Sequence, residues 1–198
     1  MRWWGRRTRT DHFGDPPLER HLSLVRDERR AMPDVADAQS VRTARIWHCK
    51  YRTLEPLSEL IGLEGLIIAT FPDPDLESLS TLKSLRYLRI LHLPHVRHLD
   101  PLAGLDRLEV LTLETLPSWD ASGKVTEVES LQPLTRLSAL KHLQLFGVRT
   151  PQRSLAQLED IPSLESVRLS KWPTAEVARF RSRTGIPDTP APGAWFDK

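Results

Sequence analysis

The sequence predicts an α/β solenoid: short parallel strands along one face, 3₁₀ or short helical segments along the other, and a helix capping each end. Three observations carry this. Leucine recurs every third residue in five separate runs. Each run leads into a tighter apolar-x-x-apolar-x-apolar pattern, and that pattern returns at near-constant intervals. Self-similarity at roughly 20–50 residues marks stacked repeat architectures.

The runs are "LEPLSELIGL" (Leu54, Leu57, Leu60, Leu63), "LESLSTLKSL" (Leu76, Leu79, Leu82, Leu85) and "LDPLAGLDRL" (Leu99, Leu102, Leu105, Leu108). "LQPLTRLSAL" (Leu131, Leu134, Leu137, Leu140) and "LAQLEDIPSL" (Leu155, Leu158, Ile161, Leu164) follow. Period three suits a 3₁₀ turn better than an α-helix. The tighter pattern starts at Val41, Leu63, Leu85, Leu108, Leu140 and Leu164, giving steps of 22, 22, 23, 32 and 24 residues. Six units therefore cover residues 41–172, with an N-terminal tail and cap over 1–40 and a C-terminal cap and tail over 173–198.

This pattern resembles the leucine-rich repeat family in its short, 22-residue, internalin-like form. The resemblance implies a curved solenoid with strands on the concave face and the three-period runs on the convex face. No unit can bury its leucines alone, so the array stands by stacking. The residues after each first anchor are Arg42, Glu64, Arg86, Glu109, Lys141 and Glu165. Their signs alternate through all six units, as expected if equivalent positions lie about 4.8 Å apart on neighbouring strands. One departure from the family is plain. The eighth position after each anchor is often asparagine there, forming a ladder of amide hydrogen bonds. Here it is Cys49, Phe71, Leu93, Leu116, Val148 and Trp172. These side chains are expected in the core, with Cys49 buried and inert.

At the N-end, Asp15 as N-cap and Leu18, Leu22, Val25 and Met32 predict a helix from about Pro16 to Ala31, which Leu24 fits poorly. At the C-end, Thr174 as N-cap and Gly185 as stop predict a capping helix, with Ile186 in place of a seventh strand. The long step comes from "LPSWDASGKVTEV", an insertion over about 117–128. It reads either as a tolerated surface loop or as a contact loop carrying Trp119.

Side chains alternate along a strand, so the concave face can be read off. Its third positions are Thr43, Gly65, Tyr87, Val110, His142 and Ser166. Its fifth are Arg45, Ile67, Arg89, Thr112, Gln144 and Arg168, and its seventh Trp47, Ala69, Leu91, Glu114, Phe146 and Ser170. Trp47, Leu91 and Phe146 form an apolar stripe; Arg45, Arg89 and Arg168 run beside it with no acid in their column. Large apolar groups rimmed by arginine and tyrosine are what interface anchors look like. The candidate partner-binding residues are thus Arg45, Trp47, Tyr87, Arg89, Leu91, His142, Gln144, Phe146 and Arg168, with Trp119 on the insertion. They imply a protein partner with an acidic, partly apolar surface.

No chemistry competes with this. His92, His95 and His98 are interrupted by Pro94 and lie where the chain leaves a strand, which suits loop histidines rather than a metal site. No glycine-rich phosphate loop, G-x-S-x-G or H-E-x-x-H occurs. No cofactor or metal is expected. A net charge of +2 argues against nucleic-acid binding by bulk charge. One cysteine excludes an internal disulfide and fits a reducing compartment. The sequence reads as a non-enzymatic cytoplasmic binder, an adaptor or inhibitor, for instance a bacterial immunity protein neutralising a toxin. A secreted or surface-acting internalin-like binder is the alternative. Against it the sequence shows no signal peptide, anchor motif or asparagine ladder. A third reading is RNA or membrane contact through "MRWWGRRTR", which carries four arginines in nine residues.

Overall fold

The computed structural model describes residues 20–197. Seven strands form one parallel sheet: β1 (His21–Val25), β2 (Thr43–Trp47), β3 (Gly65–Ala69), β4 (Tyr87–Leu91), β5 (Val110–Glu114), β7 (His142–Phe146) and β9 (Ser166–Ser170). They lie side by side in chain order, and the register is the one the repeats dictate. Thr43, Gly65, Tyr87, Val110, His142 and Ser166 are successive partners across the strands.

Between strands, the leucine runs form a hydrogen-bonded device of period three. Leu57 N–H donates to Leu54 O, Leu60 to Leu57 and Leu63 to Leu60, each at 2.9 Å; the same chain of bonds recurs in all five runs. Every third side chain therefore points the same way, and those leucines are essentially inaccessible to solvent. The first N–H of a run needs an outside acceptor. The following unit supplies it in three cases: Asp73 for Leu54, Gln157 for Leu131 and Glu176 for Leu155. The alternating charges pair across rungs as expected, with Arg86–Glu109 at 2.8 Å, Lys141–Glu109 at 3.1 Å and Arg42–Glu64 at 3.8 Å. Burial opposes the Glu109 charge, but hydrogen bonds from Arg86 and Lys141 outweigh it and lower its pKa.

The turns replace the missing amide ladder with backbone. Each strand runs into a residue with positive φ: Arg26, His48, Thr70, His92, Gly147 and Lys171, at 51–72°. In the first four the N–H donates to the last strand carbonyl of the next rung, and Gly147 N–H donates to Ser170 Oγ at 2.9 Å. Arg26 reaches Trp47 O at 2.8 Å, His48 reaches Ala69 O at 3.2 Å, and Thr70 and His92 reach Leu91 O and Glu114 O at 2.7 Å. Thr115 makes the same bond to Phe146 O without the left-handed twist, and there the chain departs into the insertion.

Several expectations are corrected. Residues 21–25 are a strand paired with β2, not part of a helix, because Leu22 and Leu24 lie beside Ala44 and Ile46 and complete an extra rung. The expected cap at Asp15 lies outside the described residues. The C-terminal helix α2 (Thr174–Thr184) does end at a left-handed Gly185, but Pro173 is its N-cap and no side chain caps it. Glu176 instead faces the leucine run, and its hydrogen bonds with Arg179 hold its pKa down to about 2. Phe180 of α2 is fully buried, and Ile186 packs on the core. Pro187 O accepts from Val167 N, so the chain continues beside β9 for one bond. The insertion holds a short helix α1 (Pro117–Ala121) and a strand β6 (Thr126–Glu127) that pairs with β8 (Val148–Arg149). Thr126 is thus the neighbour of Val148, and Leu116 is only half-buried. Cys49 is also half-buried, its thiol 3.4 Å from Leu24 O, because only the short β1 rung covers it.

Gly147 (φ 67°) is crowded as well as left-handed: a Cβ there would sit 2.2 Å from Thr115 Oγ1. Gly123 (φ 75°) has open space around it. Gly147→Ala is expected to destabilise by about 2–4 kcal/mol and Gly123→Ala by about 1 kcal/mol, as read by urea denaturation. Thr115→Ala should recover part of the first loss and none of the second.

Candidate partner-binding face

Side chains at the third, fifth and seventh positions of each strand rise from the concave side of the sheet. The floor beneath them is rigid, because Ala44, Ile46, Leu66, Ile68, Leu88, Ile90, Leu111, Leu113, Leu143 and Leu145 are buried on its other side.

Part of this face is already occupied. After Gly185 the chain turns back across the strands, perpendicular to them, from β9 to β2. Asp188 pairs with Arg168 and Arg181, each at 3.1 Å. Further along, Ala191, Ala194, Trp195 and Phe196 pack on a cluster of Ile67, Tyr87 and Val110, with Trp47 at its side. Tyr87 meets both aromatic rings edge-on, at centroid distances of 6.1 Å to Trp195 and 5.9 Å to Phe196. Asp197 reaches Arg45 at 3.2 Å. Five strand spacings of about 4.8 Å make about 24 Å, and nine residue steps from Asp188 to Asp197 span about 30 Å when extended, which leaves slack for only one turn, closed by Asp197 N–H on Ala194 O at 3.3 Å. Prolines at 187, 190 and 192 favour an extended path before it.

The crossing changes the electrostatics expected of the face. Each arginine of the fifth-position stripe has an acid from its own chain: Asp197 for Arg45, Glu114 for Arg89 at 2.8 Å, and Asp188 for Arg168. Glu114 stands in the neighbouring seventh column, which a search of the arginine column alone does not reach. Burial opposes the Arg89 charge, but the Glu114 hydrogen bond overrides it and raises its pKa. Burial raises the Tyr87 pKa and, with Arg45 close by, lowers that of His21.

The two stripes also cover each other. Arg45 lies over the Trp47 ring at 4.7 Å and Arg168 over Phe146 at 5.6 Å. Trp47, Leu91 and Phe146 are therefore half-buried rather than fully displayed. Val25 extends their column by one rung and is 49% exposed. Trp119 does join the stripe's rim, its ring 4.8 Å from His92 and beneath Lys124. His142 bonds Ser166 at 2.8 Å and Gln144 bonds Thr112 at 3.3 Å, each within its own column. The ten residues expected at the interface thus divide. Arg45, Tyr87, Arg168 and one edge of Trp47 face the returning tail, Arg89 and His142 are held by Glu114 and Ser166, and Leu91, Gln144, Phe146 and Trp119 lie toward the strand ends and the later rungs.

His21 bonds Thr43, His98 approaches Glu129, and the His92 ring packs on Trp119 with its Nδ1 buried and without a hydrogen-bond partner. Among the described residues no group of three or more His, Cys, Asp or Glu is placed to hold a metal ion. Among them too, no helix is long and apolar enough to cross a membrane. The arginine-rich "MRWWGRRTR" lies outside the described residues.

By structure the chain is similar to internalin C2 of Listeria monocytogenes, with TM-score 0.51 and 23% identity over 67% of this chain. A second internalin of that organism gives TM-score 0.47 and 15% identity over 75% of the chain. A leucine-rich repeat protein of Leptospira interrogans gives 0.32 and 18% over 76%. The chain spans about half of each: 53%, 46% and 48% respectively. No family model matches it, and no curated protein matches it by sequence. Repeat, register and the first of these likenesses agree: the chain has the leucine-rich repeat fold.

Phe196 rests on the face only partly buried, so Phe196→Ala is expected to cost about 1–3 kcal/mol, below a fully buried aromatic. Arg45→Ala should cost under about 1 kcal/mol, since its ion pair is partly solvated. Urea denaturation of both variants checks the order.

Proposed function

We propose that this protein is a non-enzymatic module that holds a partner protein on its concave face. The observation that carries the reading is the apolar column Val25, Trp47, Leu91 and Phe146, standing on a rigid sheet with Trp119 at its rim. Rigid aromatic anchors rimmed by arginine are the residues that dominate interface energies, and a preorganised floor limits the entropy lost on binding. The partner has a partly apolar surface with acidic groups. Asp188 and Asp197 take that acidic part within the chain, which supports the assignment of chemistry: the arginines of this face hold carboxylates.

Within this reading the protein acts as a cytoplasmic adaptor or inhibitor, and an immunity-type neutraliser of a bacterial toxin is one form of it. A single, half-buried cysteine suits a reducing compartment.

Replacing Trp47 and Phe146 together by alanine is expected to abolish co-purification of the partner from the native host, with circular dichroism unchanged. Retained co-purification by the double variant contradicts the reading.

A further inference from the structure

Gly65 is the one third-position residue of the concave face without a side chain, and its backbone does not ask for glycine. It lies mid-sheet with no positive φ, where a glycine weakens a strand. What fills its place is Phe196: a Cβ on Gly65 would lie 2.2 Å from the ring's Cε1. Beside it Ile67 is fully buried and Val110 nearly so, although both project away from the leucine core. A hole, an apolar wall, an aromatic edge at Tyr87 and a cation at Arg45 thus form a shaped seat, and Trp195-Phe196-Asp197 fills it.

We propose that this seat is a recognition site for a peptide turn of the pattern aromatic-aromatic-acid, like the one that Asp197 N–H closes on Ala194 O at 3.3 Å, that the chain's own C-terminal segment is its resident occupant, and that a segment of the partner with the same chemistry displaces it. The proposal rests on the reading of the concave face as a binding surface and names what part of that face selects. Phenylalanine enters the space over Gly65, the preceding aromatic stacks edge-on to Tyr87, and the acid meets Arg45. The resident fit is incomplete. Arg45 Nε is buried without a hydrogen-bond partner, so Asp197 holds the guanidinium through its terminal nitrogen alone. A carboxylate on a longer arm reaches both terminal nitrogens, Nη1 and Nη2, the stronger bidentate form. That difference lets a partner segment compete with a tethered tail whose effective concentration is of the order of millimolar. The seat also lies beside Trp47, so the displacing segment and the apolar column belong to one continuous surface.

The test uses a fluorescein-labelled peptide, PAPGAWFD, corresponding to residues 190–197, and fluorescence anisotropy. A chain ending at Thr189 keeps Ile186 on the core and Asp188 on Arg168, and loses only the occupant. It is expected to bind the peptide at least about tenfold more tightly than the full chain does. The full-length double variant Trp195→Ala with Phe196→Ala empties the seat without shortening the protein and is expected to bind likewise. Adding Gly65→Leu to either abolishes binding, and Arg45→Ala weakens it about three- to fivefold. A peptide ending in glutamate is expected to bind more tightly than the one ending in aspartate. No binding by either emptied protein with circular dichroism unchanged overturns the seat, as does binding indifferent to Gly65→Leu. A full chain that dimerises by light scattering, and turns monomeric when the tail is removed, makes a second copy the occupant and overturns displacement by a partner. None of these outcomes bears on the Trp47 and Phe146 co-purification, which tests the wider face independently.

Discussion

Everything in this molecule depends on one constraint: a unit of about 22 residues cannot bury its own leucines. A single 3₁₀ run and one five-residue strand present apolar surface on both flanks, and only a neighbour in the same register covers it. The period-three hydrogen bonds aim the leucines inward, and the parallel ladder sets neighbouring rungs at one spacing. The residue after each of the sheet's first six strands then passes one more N–H to the next rung. That last bond lets the turns forgo the side-chain amides common in the family, so the column holding Phe71, Leu93 and Val148 is free to be apolar. Buried amides are demanding partners, and a backbone-satisfied turn avoids leaving any of them unpaired.

The same constraint shapes the ends and the interruption. At the start, β1 adds a rung without a leucine run of its own, so Leu22 and Leu24 are only partly covered and Cys49 above them is half-exposed. At the finish, α2 lays Phe180 over the last leucines, while Glu159 grips Arg179 and Arg183 at 2.6 and 3.0 Å. The insertion is tolerated because it leaves after the fifth strand's last ladder bond and returns as β6 in register with β8, so the stack above it never loses its phase.

Legibility in the sequence followed the same physics. Repeats that must stack carry a strict phase, so the strands, their partners and the alternating charges could be read to the residue. The first rung was hidden because its anchor position is Glu19 rather than an apolar residue, although Leu22-x-Leu24 stands 22 residues before Ala44-x-Ile46. Concave positions were legible too, but not their state. Which arginine meets which acid depends on the returning tail, and a segment that crosses strands perpendicularly leaves no periodic trace. Two anomalies did point to it: a glycine opening a strand in mid-sheet and an aromatic pair in a proline-rich tail. Each looked unremarkable alone, and only the fold places Phe196 over Gly65.

The central claim is that the concave face carries its own C-terminal segment, with Phe196 seated on Gly65. Nuclear Overhauser contacts in the isotopically labelled full-length protein test it most directly. The structure predicts contacts from the Phe196 ring protons to the Gly65 Hα protons and to the Tyr87 ring, with the Gly65 resonances displaced by ring current. Random-coil shifts for residues 190–197 and no contact between Phe196 and Gly65 would contradict it.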